Sequence, residues 1–485
     1  MVPRKSTWLI VCAALCGWLC CEATAVAGAD AQPTLRRTRT VSQYGITWTF
    51  GQEAQVGQFV NGDYYVVGPV TIADITPKPL LGEEARDETE RSEREDGLYA
   101  RNGSVLNLPT NGEAGYDSRI INEYDPALFA KLPIEMRPGD SLISTISMKP
   151  GERIKRSIRG WATGGHGSPV RTAAVLTCLA QPPPADAFRP SYCDREQKLY
   201  LARDLRRELL PRLPREGISL RVEDGFSFTI DEWADRFQRP WIDTVFFCFA
   251  APVENMPLYG REIGRAVGIA GLLLCLDFTP EGKERLLINF VQAGIDYWGA
   301  IRAGHRGWPA HGGHGSGRKW PIVFAGIMLG DEQMASPTVT YPEVKFGEDM
   351  QTMYGKGWTG ATALYAGHVG KEGYPGYKGW GAYEHLHPSD WEAKIGESYR
   401  RCCTSVCWVG QALGARILHA EKAWNHDAFF DYCDRWMTED DAEHIKIIHE
   451  TRDWDFSHSW ERQGQAWDPI VNEMWAKYRH NLPQP

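Results

Sequence analysis

Hydrophobic and polar positions change their periodicity along the chain, and the change predicts two kinds of structure. Between about residues 41 and 148, three segments are rich in β-branched and aromatic residues and are separated by Gly, Pro and Asn turns: YGITWTF, QFVNGDYYVVGPVTIADI and SLISTISM. From residue 196 onward, apolar residues recur at three- and four-residue spacing, as in DEWADRF, PLYGREIGRAVGIAGLLLCLDF and PEGKERLLINFVQAGIDYWGAI. We therefore expect a β-rich region followed by a helical one.

The helical region determines the predicted fold class. Segments 263–276 and 321–329 are apolar nearly all round, which is typical of helices that lie between other layers. Many helices joined by Gly- and aromatic-rich loops, without β-α-β alternation, favour antiparallel hairpins arranged in a ring. We predict a mainly α protein, with a β-rich region at 30–150 and an α/α toroid at 151–485. A plain helical bundle is the alternative.

The first 29 residues have the pattern of a secretory signal peptide. Arg4 and Lys5 precede an apolar run at 8–21, and small residues follow at 25–29. The next-longest apolar stretch, 266–276, is far shorter than the roughly 20 residues that span a bilayer. The sequence predicts a secreted or periplasmic protein with no membrane span after cleavage.

Composition narrows the function classes. Of 485 residues, 43% are hydrophobic, which supports a large core. The net charge of −9 and the absence of a basic tract argue against nucleic acid as a partner. The 19 tryptophans suit either sugar-stacking clefts or a large core.

Cys178 and Cys193, which flank a Pro-rich loop, are the first candidates for a disulfide. No feature indicates an oligomeric state.

The densest group of reactive side chains is GHRGWPAHGGHGSGRKWPIVF, residues 304–324. It carries His305, His311 and His314 in a Gly-rich loop that leads into an apolar helix. Glycine allows close approach of backbone to a ligand, and a helix N-terminus favours an anion. With Arg306, Arg318 and Lys319 nearby, the segment predicts a carboxylate or sulfate site. A simple connecting loop or a metal site at HGGH are the alternatives, whereas a nucleotide site would need a preceding strand.

Two other loops add side chains that are candidates for binding a sugar chain, and so does the predicted helix start NMPLYGR, residues 255–261, with an Asn, a Tyr and an Arg. Residues 345–368 alternate polar groups with glycine, and 372–391 crowd Tyr and Trp just before a helix, as a platform for pyranose rings would. Aromatics that merely pack a long loop onto the surface are the alternative. The residues expected to bind substrate are Asn255, Tyr259, Arg261, His305, Trp308, His311, Lys319, Glu348, Gln351, Trp358, His368, Trp380 and Glu384.

Together these side chains suggest β-elimination of a polysaccharide that contains uronic acid. The proton at C5 is weakly acidic, so the enzyme must neutralise the neighbouring carboxylate with Arg, His, Asn or Gln. A Tyr whose pKa is lowered by nearby cations could then remove the proton. This chemistry needs neither a metal nor a cofactor.

Four segments, FVNGDYYVVGPVTI, GGHGSGRKWPIVFAGIMLG, EDMQTMYG and AYEHLHPSDW, resemble those of exported bacterial proteins of polysaccharide lyase family 38, over most of residues 40–440. The resemblance implies an α/α toroid that cleaves alginate or glucuronan with a His/Tyr/Arg centre. On this chain the implied catalytic residues are His314 and Arg318, with Tyr383 as first choice for the tyrosine and Tyr377 and Tyr354 after it. The β-rich region and the acidic run at 82–96 exceed what a minimal lyase toroid requires.

Two other functions compete with the lyase. A glycoside hydrolase on the same toroid would need two carboxylates about 5–10 Å apart, for which Glu348, Asp349, Glu384 and Asp296 are available. A non-catalytic sugar-binding protein would explain the aromatics but not the His and Arg cluster. Because the loops are richer in His, Arg and Tyr than in paired acids, the lyase is favoured.

Overall fold

The structure is a computed structural model that describes residues 33–86, 97–149, 152, 167–223, 226–245, 250–371, 373, 376–452, 454 and 463–483. The predicted signal peptide, 1–29, lies outside the described residues, as does most of the acidic run at 82–96. The start of that run, Gly82–Ala85, is a 3-10 turn.

The N-terminal part is a curled eight-stranded sheet in the order β7-β9-β10-β3-β2-β4-β8, with β1 paired to β2. The strands are β1 (Arg36–Gln43), β2 (Ile46–Gln58), β3 (Tyr64–Val67), β4 (Val70–Thr76), β5 (Leu80–Leu81), β6 (Ala100–Arg101), β7 (Ser104–Leu106), β8 (Ile134–Met136), β9 (Ser141–Ser147) and β10 (Val170–Leu179); β5 and β6 form a separate pair.

Alternation of side chains explains this sheet. In β2, Ile46, Trp48 and Phe50 are buried while the residues between them are half-buried, so one face packs on the core. The Trp48 indole nitrogen donates to the Ser144 hydroxyl on β9 at 2.9 Å. Strand β10 pairs antiparallel with β9 and parallel with β3, so the sheet continues past the predicted boundary at residue 150.

The remainder of the chain is mostly helical. The helices are α1 (Ile230–Gln238), α2 (Gly260–Cys275), α3 (Pro280–Arg302), α4 (Lys319–Leu329), α5 (Glu332–Ala335), α6 (Pro337–Thr340), α7 (Gly347–Met350), α8 (Lys394–Tyr399), α9 (Ser405–Ile417), α10 (Glu421–Trp424), α11 (Asp427–Thr438), α12 (Ala442–Thr451) and α13 (Pro469–Tyr478). Short strands β11 (Gly307–Trp308) and β12 (Lys345–Phe346) pair with each other, as do β13 (Thr352–Tyr354) and β14 (Ala363–Tyr365).

The helical core is built around α2, α3, α4 and α9. Helix α2 lies against α9 at Gly268, where an added Cβ would come within 3.1 Å of the Gly410 backbone. The prediction that 263–276 and 321–329 are helices buried between layers is confirmed, since α2 and α4 are buried on nearly every side. In the part of the chain that is described, no helix is both long enough and apolar enough to traverse a bilayer.

The prediction of a mainly α toroid is wrong. Of the residues that the structure describes, 38% are helical and 19% are in strands, and a curled sheet supplies the N-terminal part. Two predicted helices are also interrupted. Residues 196–210 form only 3-10 turns, at Ala202–Asp204 and Arg207–Leu209, and the long segment from 388 is divided into a 3-10 turn, α8, a π-helical turn and α9. Apolar spacing detects the buried face of such segments but not these breaks, which prevent a regular ring of hairpins.

A buried ion network joins the sheet to the helices. The Arg189 guanidinium binds Asp63, beside β3, with an Nε–Oδ2 distance of 2.5 Å, and Asp296 of α3 with an Nη2–Oδ2 distance of 2.6 Å. Removing one partner would leave a buried charge unpaired, so the network fixes α3 relative to the sheet. The loop that follows α3 is thereby positioned against loops of the N-terminal part.

Candidate functional site

A cleft of about 460 Å³ lies where the loop after α3 meets the N-terminal part of the protein. This groove is called the cleft below. Its walls are residues 110–112 from the sheet part, 243–245 from the segment after α1, and 304–309 with His314, Gly315 and Arg318 from the Gly-rich loop. Clefts between structural parts are common ligand sites. The segment predicted to carry the chemistry therefore lines a groove.

Glycines hold the Gly-rich loop close to its neighbours. An added Cβ at Gly313 would lie 2.4 Å from the carbonyl oxygen of Cys403, and one at Gly260 would lie 2.2 Å from the carbonyl oxygen of His314. Only glycine permits these approaches. The Gly313 N–H donates to the Tyr259 hydroxyl at 3.1 Å, which ties the loop to the start of α2.

His314 is half-buried in the cleft wall, beside an aromatic neighbour. Its ring meets the edge of the Tyr259 ring at a centroid distance of 4.6 Å, and the His311 ring lies 5.9 Å away. Burial raises the pKa of the Tyr259 phenol, which therefore stays protonated at neutral pH. The ring of His314, which lines the cleft, therefore packs against the ring of a tyrosine that stays protonated.

Arg318 also lines the cleft, but its charge is already neutralised. Its guanidinium binds the Asp243 carboxylate at 2.6 Å (Nε–Oδ2) and 3.1 Å (Nη2–Oδ1). Its Nη1 donates to the carbonyl oxygens of His314 at 2.6 Å and Ser316 at 2.7 Å. Arg318 is 1% exposed. It is placed to shape the loop around His314 and not to meet a substrate carboxylate.

Asp243 ties the two ends of the Gly-rich loop together. Its carboxylate binds Arg318 and accepts a hydrogen bond from the Tyr297 hydroxyl at 3.2 Å. Its backbone carbonyl accepts a hydrogen bond from the Trp308 indole at 2.9 Å. Asp243 and Tyr297 were not among the residues predicted to form the site. The signal was an acid inside the apolar run WIDTVFF, since a buried acid requires a cationic partner.

The anion site predicted at the start of α4 is filled by carboxylates of the chain itself. The Gly317 N–H donates to Glu348 Oε1 at 2.5 Å, and the Lys319 ammonium binds Asp349. Burial lowers the pKa of Lys319 and raises the pKa of Glu348 to about 7. The Lys319 ammonium and the Gly317 N–H are therefore bound by carboxyl groups of the chain itself: Lys319 and Glu348 are fully buried, and Asp349 is half-buried.

Arg306 is the cation that remains at the rim of the cleft. Its side chain is exposed and makes no hydrogen bond or ion pair with the described residues. Its neighbour His305 accepts a hydrogen bond from the Gly307 N–H at Nδ1, 3.1 Å away, and lies against Trp308 at 4.5 Å. Burial lowers the pKa of His305 to about 4, so this histidine is neutral at pH 7.

A second group of rings continues from His314 and is called the aromatic cluster: His311, His368, Tyr377, Trp380 and Tyr399. Tyr377 is 44% exposed, and its ring lies 4.3 Å from that of Trp380. His311 lies 4.9 Å from His368 and 6.2 Å from Trp380. His368 is buried, which lowers its pKa to about 3. The cluster gives a partly exposed ring surface beside His314.

Tyr383 and Glu384 lie elsewhere, in a buried ionic network. The Tyr383 hydroxyl donates to Glu397 at 2.5 Å, and burial raises its pKa far above the ordinary value. Glu384 binds the Arg435 guanidinium through both oxygens, at 2.8 Å each. Neither residue lines the cleft. A protonated phenol bound to a carboxylate is poorly suited to remove a proton from a sugar.

The other predicted residues are also separated from the cleft. Tyr354 is 53% exposed, lines a different cavity of about 530 Å³, and donates to Asp431 at 2.6 Å. Gln351 holds the His368 carbonyl oxygen at 2.9 Å. Asn255 donates to the Arg239 carbonyl at 3.1 Å.

Trp358 and Arg261 have structural contacts of their own. The Trp358 ring lies 5.2 Å from that of His387. Arg261 binds Glu262 at 2.7 Å and lies 4.3 Å from the centre of the Trp467 ring. In the described ranges, no group of three or more His, Cys, Asp or Glu side chains is arranged to hold a metal ion.

The fold and site together define a protein of mixed α and β structure with a cleft, lined by His305 and His314, between its sheet and its helical part. No protein-family model, no curated protein and no solved structure matches this chain. Functional conclusions therefore depend on the geometry of the site.

Proposed function

We propose that this protein is a polysaccharide lyase that cleaves a uronic-acid polymer, of the alginate or glucuronan type, by metal-independent β-elimination in the cleft. The observation that carries the proposal is that His314 and Arg306 line the same cleft, and that the exposed Arg306 side chain has no ion-pair or hydrogen-bond partner among the described residues. The resemblance to polysaccharide lyase family 38 stays a prediction.

Arg306 is assigned to the substrate carboxylate. An Arg guanidinium can bind a carboxylate through two hydrogen bonds, which stabilises the negative charge that develops when the C5 proton leaves. The sequence predicted Arg318 for this role, but the Arg318 guanidinium is already bound by the Asp243 carboxylate. In this scheme Arg318 and Asp243 hold the loop, and Arg306 binds the uronate.

His314 is assigned the proton transfers. Histidine has an ordinary pKa near neutrality and is the commonest general base. Its ring takes the C5 proton, the C–H electrons form the C4–C5 double bond, and the C4–O4 bond breaks. The imidazolium then returns the proton to O4. One residue can do both because the C5 hydrogen and O4 lie on the same ring face in mannuronate and glucuronate.

The stereochemistry also predicts selectivity. In guluronate the C5 hydrogen and O4 lie on opposite faces, so a base and a separate acid are required. We therefore expect cleavage of polymannuronate or glucuronan and little cleavage of polyguluronate. The exposed Tyr377 ring and the half-buried Trp380 ring, which are tilted by 39° with centroids 4.3 Å apart, offer an aromatic surface for neighbouring sugars of the chain.

The carboxylates considered for a hydrolase do not form a pair in the cleft. None of Glu348, Asp349, Glu384 and Asp296 lines it. Asp296 is bound to Arg189, and Asp349 to Lys319. The carboxylate that does line the cleft, Asp243, is bound to Arg318. This arrangement favours the lyase over a two-carboxylate hydrolase.

The test is the ultraviolet absorbance of the unsaturated uronate that elimination produces. The protein is mixed with polymannuronate, glucuronan, polyguluronate and a neutral glucan. His314→Ala should abolish the signal. Arg306→Ala should lower kcat/KM by about 10- to 100-fold, from the loss of one charge-assisted contact. The exposed His385→Ala and Arg137→Ala variants, which do not line the cleft, are the matched controls.

Three results would overturn the proposal. Reducing sugar without the unsaturated product would indicate a hydrolase. Binding of a uronate polymer without any turnover would indicate a carbohydrate-binding protein. Unchanged activity in His314→Ala would remove the proton transfer from this residue.

A further inference from the structure

Two adjacent cysteines, Cys402 and Cys403, are joined by a disulfide in the π-helical turn Arg400–Thr404, between α8 and α9. Cys402 is half-buried, while Cys403 is 6% exposed. Single π-turns within helices are rare and occur frequently at functional sites. The predicted disulfide between Cys178 and Cys193 is absent, since both are buried free thiols.

The disulfide lies directly behind the Gly-rich loop. The carbonyl oxygen of Cys403 is so close to Gly313 that an added Cβ there would lie 2.4 Å from it. The carbonyl oxygen of Cys402 accepts a hydrogen bond from Arg261 at 3.4 Å. Gly313 donates to Tyr259, whose ring packs on His314. One layer of contacts therefore separates the disulfide from the cleft histidine.

We infer that the Cys402–Cys403 disulfide is a reversible redox site for small dithiols, and that its state sets the position of Gly313 and His314. A dithiol's thiolate attacks the more accessible Cys402 sulfur and releases the Cys403 thiolate. The reagent's second thiol then attacks the mixed disulfide and releases the Cys402 thiolate. The reagent leaves as a cyclic disulfide, and both protein thiolates take up the protons that the dithiol lost.

Bond cleavage has a local structural consequence. The disulfide closes a small ring that contains the peptide bond between the two cysteines, and opening it frees the carbonyl groups that face Arg261 and Gly313. The preceding residues stay fixed, because the Arg400 and Arg401 guanidinium groups bind the buried Glu397 at 2.8 Å and 2.5 Å. Reduction of the disulfide is therefore expected to move the backbone that contacts the Gly-rich loop and to leave the residues before Cys402 in place.

The remaining described cysteines make the reaction selective. They are buried free thiols, and burial raises the pKa of each: Cys178, Cys193, Cys275, Cys407 and Cys433. A free thiol offers no S–S bond for a dithiol to reduce, and a buried thiol with a raised pKa is too poor a nucleophile to exchange with the Cys402–Cys403 disulfide at neutral pH. Brief treatment with dithiothreitol should therefore act on Cys402 and Cys403.

The test uses the full-length native protein before and after dithiothreitol. Alkylation in denaturant followed by peptide mass mapping should leave Cys402 and Cys403 unlabelled before treatment and label both after it. Amide hydrogen exchange at Gly313 should accelerate roughly fivefold on reduction, from the weakening of one hydrogen bond. Exchange of amides in α3 is the internal control. Neither readout measures polysaccharide cleavage, so the result is independent of the proposed function.

A Cys402→Ser/Cys403→Ser variant should exchange at Gly313 as the reduced protein does and should not respond to dithiothreitol. If this variant does not fold, the comparison of native protein before and after reduction, with an unchanged circular dichroism spectrum, decides the question. Alkylation of both cysteines without reductant would overturn the redox site. Unchanged exchange at Gly313 after complete reduction would overturn the coupling to the loop.

Discussion

The ion pair between Asp243 and Arg318 offers the sharpest test of how the cleft is held. Replacing Asp243 with Leu removes both carboxylate contacts to Arg318 and the acceptor of the Tyr297 hydroxyl hydrogen bond. The two side chains are 1% and 2% exposed, so solvent cannot replace the lost partner. The guanidinium would remain buried and would lose both of its contacts with the Asp243 carboxylate.

The expected loss of stability follows from this burial. Removing one partner of a buried ion pair costs about 3–5 kcal/mol in the free energy of unfolding, whereas replacing both partners with apolar residues is often nearly neutral. Asp243→Leu should therefore be strongly destabilising. The Asp243→Leu/Arg318→Met double variant should be more stable than Asp243→Leu alone.

Urea unfolding followed by tryptophan fluorescence measures the effect. The matched control is Glu84→Ala, which breaks the exposed pair Lys78–Glu84, with side chains 71% and 66% exposed. Exposed pairs contribute about 0–1 kcal/mol, so this control should shift the urea midpoint little. Two results would refute the stabilising role of the Asp243–Arg318 ion pair. One is an Asp243→Leu variant that is no more destabilised than Glu84→Ala, and the other is a double variant that is the least stable of the set.

Two other buried groups give further predictions. Burial raises the pKa of Glu348 to about 7 from an ordinary value of 4.5, so the native state holds a proton that the unfolded chain releases between these values. The contribution of Glu348 to stability is thus complete below pH 4.5 and is lost as the pH rises to about 7. Glu348→Gln should be more stable than the native protein at pH 8 but not at pH 4, as thermal melts at both values would show; equal melting shifts at the two pH values would contradict the assignment. Tyr383→Phe should lose about 1.5–3 kcal/mol of stability, because the Glu397 carboxylate loses a buried donor, and should retain any lyase activity. Loss of turnover with unchanged urea unfolding would instead return Tyr383 to a catalytic role.

Some features of the fold and of the candidate site could be predicted from the sequence, and others could not. The spacing in PLYGREIGRAVGIAGLLLCLDF and GRKWPIVFAGIMLG located α2 and α4, because a helix buried on all sides carries an unbroken apolar pattern. Two of the three histidines of residues 304–324, His305 and His314, line the cleft, whereas His311 belongs to the aromatic cluster. The partners of Arg318, Gly317 and Lys319 were missed, since Asp243, Glu348 and Asp349 lie 75, 31 and 30 residues away.

The amino-acid sequence by itself determined local elements: several strands of the sheet before residue 150, the most apolar helices and a loop rich in Gly, His and Arg. These follow from side-chain periodicity and backbone preferences, which act over a few residues. Only the tertiary structure decided that the N-terminal part is a curled sheet and that the helices do not form a ring of hairpins. It also decided which cationic side chains can bind a ligand. It left Arg306 at the cleft rim and gave Arg318 and Lys319 internal carboxylates, because a buried charge is stable only when the fold brings it an opposite one.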